Sequence, residues 1–106
     1  MSITNREVLI LKNAYKNYAS YMKALSDETR VKIFKMLSND ELCACEVLEE
    51  FKITQPTLSY HMKILCDSGL VISKKNGSWT KYSIHKESLK DLKNFICIID
   101  DKVNTI

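Results

Sequence analysis

The sequence predicts a mainly α-helical domain with one small β-hairpin, and three observations predict it. Its 106 residues hold one proline and two glycines, so tight turns are few. Apolar residues recur at spacings of three and four along most of the chain, the period of a helix face. Asn76-Gly77, set between β-branched and aromatic residues, reads as a two-residue hairpin turn. The length suits a single domain spanning residues 1–106.

From Arg6 to Leu25 the stripe Val8, Leu11, Tyr15, Tyr18, Met22 and Leu25 predicts a helix packed lengthwise against another helix. Tyr15, Tyr18 and Tyr21 make that seam bulky, fit for a core or for a subunit interface. Ser26 is expected to cap a second helix, with Asp27 and Glu28 where the helix dipole favours acids. Its buried side would be Val31, Phe34 and Leu37, with Arg30, Lys32 and Lys35 facing elsewhere. Ser38 and Glu41 have capping-box spacing, which predicts a third helix from Asn39 or Asp40. Ala44, Val47, Leu48 and Phe51 would be its core stripe, and Lys52-Ile53-Thr54 a short turn.

The stretch Gln55 to Gly69 reads as the fourth helix. Thr54 or Gln55 caps it, Pro56 suits its first turn, and Gly69 can close it left-handed. Leu58, Met62 and Leu65 make its buried stripe. The opposite face carries Pro56, Tyr60 and Lys63, with Thr57 and Ser59 beside them, and no acid. Two short helices joined by a tight turn, the second with such an outer face, form a helix-turn-helix. Leu70 to Lys75 then reads as a strand and Ser78 to Ile84 as its return. Lys74, Lys75 and Lys81 cluster at the turn, so the hairpin reads as the wing of a winged helix-turn-helix, or else as a hairpin with solubilising lysines. Lys86 to Val103 is a last helix, with Leu89, Leu92, Ile96, Ile99 and Val103 as a second seam. First and last helices together would suit a homodimer, which a two-fold DNA site also asks for.

The net charge of +3 permits nucleic acid without demanding it. No stretch is apolar enough to span a bilayer and the N-terminus is no signal peptide, so a cytoplasmic protein is expected. In that reducing setting the four cysteines are thiols or ligands rather than structural disulfides. No nucleophile stands with a base, and no phosphate loop or hydrolase pattern is present, so an enzyme is not expected.

Cys43 and Cys45 fall in the first turn of the predicted third helix. In a regular helix each sits about 100° from the core stripe, on opposite sides, so the two diverge. Holding one ion through both would require that turn to distort. Soft thiolates select arsenic, antimony, cadmium, lead or copper(I) over magnesium and calcium. Packed small hydrophobes are the plainer reading of such a pair. Cys66 and Cys97 read as packed cysteines that remain candidates for a third ligand or a redox partner. His85 stands at a strand-to-helix junction with no second histidine beside it.

On these residues the sequence resembles the ArsR/SmtB family of bacterial metal-sensing repressors. The resemblance rests on Leu25-Ser26-Asp27-Glu28-Thr29-Arg30, Glu41-Leu42-Cys43-Ala44-Cys45-Glu46, Gln55 through Met62, and the wing through Tyr82. It implies a homodimeric repressor of order α-α-α-α-β-β-α that sits on double-stranded operator DNA and leaves when arsenite or antimonite binds Cys43 and Cys45. No metal is implied for folding. The chain departs from some arsenic sensors in having Leu48 where they place a third cysteine. It also has no cysteine before Cys43, unlike cadmium and lead sensors. Its last helix offers Asp91, Asp100 and Asp101 but no histidine, unlike zinc and cobalt sensors.

The expected DNA contacts are Thr57, Ser59, Tyr60 and His61 on base edges and phosphates, with Gln55 at the helix start. Lys63, Lys74, Lys75 and Lys81 would hold phosphates. Two rivals stand beside this reading: the same repressor sensing Cd(II), Pb(II) or thiol oxidation, and a helical dimer that binds protein rather than DNA.

Overall fold

The structure is a computed structural model that describes residues 4–105. Its elements are α1 (Asn5–Ala24), α2 (Glu28–Leu37), β1 (Leu42–Cys43), α3 (Ala44–Leu48), α4 (Gln55–Ser68), β2 (Val71–Asn76), β3 (Trp79–Ile84) and α5 (Lys86–Val103). The expected helices and hairpin are present, as a winged helix-turn-helix. One strand, β1, was not expected. It joins the hairpin as a third antiparallel strand, in the order β1-β3-β2.

Ile33, Val47, Leu58, Met62, Leu65, Leu70 and Val71 are fully buried and hold α2, α3, α4 and the sheet together. Leu58, Met62 and Leu65 are the stripe expected of α4. Thr54 caps that helix by accepting from Thr57 N, and Gly69 ends it at a φ of 89°. Both ends therefore follow from residues the sequence names.

Four boundaries differ from expectation. Asp27, not Ser26, caps α2, its carboxylate accepting from Arg30 N at 3.1 Å. The Ser26 hydroxyl instead donates back to Lys23 O and closes α1. The buried face of α2 is Arg30, Ile33 and Leu37, while Val31 is 47% exposed. Both stripes have helical spacing. The one containing Arg30 goes inward because the guanidinium finds Ala24 O at 2.7 Å and His61 Nδ1 at 3.0 Å, so its buried donors are satisfied.

The third helix starts at Ala44 rather than Asn39 or Asp40. Its capping box is formed by Cys43 and Glu46, not by Ser38 and Glu41. Leu42 and Cys43 are drawn into the sheet by pairing with Tyr82 and Lys81. The helix also ends early, at Leu48, and Phe51 packs on the core from the following turn.

In the hairpin Asn76 pairs with Trp79, so the two-residue loop is Gly77-Ser78 rather than Asn76-Gly77. Within this loop only Gly77 has positive φ, at 65°, and no residue other than glycine has one among the described residues. That excludes a type I′ turn and fits type II′, which needs glycine first.

α1 and α5 meet where Tyr18 stacks on Phe95, ring centroids 4.3 Å apart. The molecule is elongated, with extents of 54 × 32 × 21 Å and a radius of gyration of 16.6 Å. A compact chain of this size would have about 13 Å. Leu11, Tyr15 and Met22 on α1 are exposed, as are Leu89, Ile96, Ile99 and Val103 on α5. The side chain of Val8 lies outside the described residues. No helix among the described residues is long and apolar enough to cross a membrane.

Candidate nucleic-acid interface and thiol site

α4 presents Gln55, Thr57, Ser59, Tyr60 and Lys63 on its exposed face, and Tyr60 is 61% exposed. Lys63 is held by Asp67, whose carboxylate accepts from Nζ at 2.7 Å and raises the lysine's pKa. His61, expected among the DNA contacts, does not share their exposed face. It is buried, and its Nδ1 faces the Arg30 guanidinium. Arginine can only donate, so Nδ1 accepts and the ring proton sits on Nε2. His61 therefore ties α4 to α2 rather than standing beside Ser59 and Tyr60.

The three wing lysines do not form one cluster. Side chains alternate along a strand, so Lys74 and Lys81, which are direct partners, share one sheet face, and Lys75, opposite Thr80, takes the other. Like charges directly opposite each other repel, a cost that an anion between them removes. Asn76 and Trp79 lie on the Lys74 face, and Trp79 is 59% exposed. Trp79 went unnoticed in the sequence, and Arg30 was placed away from the buried side of α2. An aromatic residue at the tip of a basic hairpin was the available signal for Trp79, whereas nothing local marks Arg30 as buried.

Cys43 and Cys45 do not diverge. Cys43 lies in β1, ahead of the helix, and its Sγ sits 2.6 Å from Sγ of Cys45. The expectation of a regular helix through both residues fails because Cys43 is extended, with φ −82° and ψ 162°. Cys43 N donates to Glu46 Oε1 at 3.0 Å. The hydrogen bond with Cys45, and then that with Glu46, pushes the Cys43 thiol pKa up. Glu46 is held below the usual carboxylate range, chiefly by the Cys43 backbone and thiol and further by Lys81.

Neither expected third ligand joins the pair. Cys66 is half-buried in the last turn of α4, its pKa raised by burial, and Cys97 is exposed on α5. Among the described residues no group of three or more His, Cys, Asp or Glu is arranged to hold a metal ion. His85 is engaged with the Ser88 hydroxyl at 2.7 Å.

Residues 27–73 match the family model for bacterial regulatory proteins of the arsR family. Over 87 residues the chain is 44% identical to an arsenical resistance operon repressor of Staphylococcus xylosus, covering 82% of this chain and 84% of that one. The chain belongs to the ArsR family. Among solved structures, this ArsR-family chain superposes on an ArsR-like transcriptional regulator from a Rhodococcus species with a TM-score of 0.76. The two are 26% identical, and 87% of each chain is covered. It is also similar in fold to a homodimeric winged helix-turn-helix DNA-binding domain from Mycobacterium bovis. That match has a TM-score of 0.69 at 19% identity and covers 96% of this chain and 92% of the other.

Proposed function

We propose that this ArsR-family chain is a homodimeric transcriptional repressor that binds operator DNA and releases it when arsenite or antimonite reacts with Cys43 and Cys45. The observation that carries this reading is the meeting of the two thiols at the junction of β1 and α3. From there one path leads through the β1–β3 ladder to the wing and another across the helix-turn-helix to α4. The likeness to an arsenical resistance operon repressor supports the choice of inducer.

In the proposed complex each protomer lays α4 in the major groove. Gln55, Thr57, Ser59 and Tyr60 meet bases and phosphates, and Lys63, Lys74, Lys75 and Lys81 hold the backbone. The two half-sites lie about one helical turn apart. Homodimerisation through the exposed apolar faces of α1 and α5 supplies the two-fold axis.

The raised thiol pKa of Cys43 bears on the inducer. Arsenous acid is neutral and takes each thiol proton away on a departing hydroxyl, as water. Cd(II) and Pb(II) need thiolates and must expel protons against that shift. One arsenic bonded to both sulfurs resets their separation and ties Cys43 of β1 to Cys45 of α3. That movement displaces β1 and the start of α3. Release needs a coupling of only about 1–3 kcal/mol between the two sites.

The test is a fluorescence anisotropy titration of the chain on its own promoter DNA at fixed salt. Arsenite should weaken operator binding, and Cys43→Ser or Cys45→Ser should abolish release while leaving DNA affinity intact. Operator affinity unmoved by arsenite defeats the proposal.

A further inference from the structure

The thiol pair has a neighbour that its role as an arsenic site does not use. Cys45 lines a pocket of about 170 Å³ between α3, α4 and β3, together with Ala44, Leu48, Leu58, Met62 and Ser59. An apolar cavity of about 150 Å³ is large enough for benzene. Leu58 and Met62 are nearly fully buried, so the floor of the pocket is apolar and fixed. Leu48 stands one helical turn beyond Cys45, and no third thiol is gathered at the site among the described residues.

Two thiols beside a pocket with an apolar floor match one class of ligand by valence. Inorganic arsenous acid has three exchangeable hydroxyls, so two thiols leave one As–OH facing Leu48 and its neighbours. A mono-organyl arsonous acid, R–As(OH)₂, has only two, and its third substituent is carbon. We propose that the site is built for trivalent arsenicals bearing one organic group, with arsenic on Cys43 and Cys45 and the organic group in the pocket. The proposal rests on the arsenical reading above and names the ligand class within it.

The reaction balances without an oxidant. Two As–O bonds break and two As–S bonds form, each thiol proton leaves on a hydroxyl as water, and arsenic stays trivalent. The organic group then presses on Leu58 and Met62, whose helix also contributes Gln55 and Ser59 to the lining of the same pocket. Occupancy of the pocket and displacement of the expected DNA-reading face are thus one event.

The test is calorimetric titration of the full-length reduced protein, in buffer free of small thiols, with phenylarsine oxide and with sodium arsenite, followed by a count of free thiols. Phenylarsine oxide hydrates to the arsonous acid. It should bind one per chain, remove two thiols, and bind at least about tenfold tighter than arsenite, the factor that burial of a ring of this size supports. Leu48→Cys supplies a third thiol but removes apolar lining from the pocket, so it should raise arsenite affinity and lower that of phenylarsine oxide. Equal wild-type affinities, loss of only one thiol, or an equal gain for both ligands in Leu48→Cys overturns the inference and leaves the arsenical reading standing. Binding of neither compound overturns both.

Discussion

Cys43 stands directly opposite Lys81 in the β1–β3 ladder, and Lys81 stands directly opposite Lys74 in the β3–β2 ladder. Paired residues share a sheet face, so a thiol and two wing lysines form one row across three strands. β1 has only two residues, and one of them is the thiol-bearing Cys43. A ligand that moves Cys43 therefore moves a member of the sheet that aims the wing.

That row makes the wing lysines testable separately from α4. Lys74→Ala and Lys81→Ala should each weaken operator binding and lower the slope of log affinity against log salt by about one. Anisotropy titrations at several salt concentrations measure the slope. A slope unmoved by both substitutions removes these lysines from the phosphate contacts.

Arg30 and His61 should behave differently. The guanidinium bridges Ala24 O and His61 Nδ1, and removing it leaves those buried acceptors unpaired. Arg30→Ala should cost about 1–3 kcal/mol of stability, read from the urea midpoint. Operator affinity should fall through misplacement of α4, with the salt slope unchanged. His61→Ala should also leave the slope unchanged, because its ring faces α2 rather than a phosphate.

The pH dependence of stability follows from Asp27. Its pKa is lowered, first by the hydrogen bond from Arg30 N and also by the nearby charge of Arg30. A carboxylate with a folded pKa below its unfolded value adds stability that is fully present above the unfolded pKa, about 3.9. That stability drains away as pH falls through the lower folded value. Denaturation midpoints should therefore drop below about pH 4, and Asp27→Asn, which keeps a capping oxygen but cannot titrate, should reduce that drop. An acid limb identical in the two proteins would assign it to other groups, Glu46 first among them.

Much of the fold was legible because its signals are local. Thr54, Pro56 and Gly69 bound α4 by backbone chemistry alone, and Leu58, Met62 and Leu65 fixed its inner face. What the sequence hid depends on partners distant in the chain. β1 exists because Leu42 and Cys43 meet Tyr82 and Lys81, some forty positions on, and no periodicity in a two-residue strand announces that. Arg30 turns inward because His61 waits for it on another helix. The thiol geometry followed from the same hidden strand: with Cys43 extended, two residues expected to diverge converge instead.

The exposed seams carry the last prediction. Tyr15 and Ile96 are 58% and 50% exposed in the single chain, on the α1 and α5 faces left uncovered beyond the Tyr18–Phe95 stack. An apolar patch of this kind on both terminal helices is what a subunit partner covers. Tyr15→Glu and Ile96→Glu should leave the fold and its helical content intact, since neither side chain belongs to the core. Each should shift the protein from dimer to monomer in sedimentation velocity at micromolar concentration. A monomer engages one half-site only, so operator affinity should fall by orders of magnitude while the reactivity of Cys43 and Cys45 toward arsenicals is retained. A dimer that survives both substitutions would place the interface on another face.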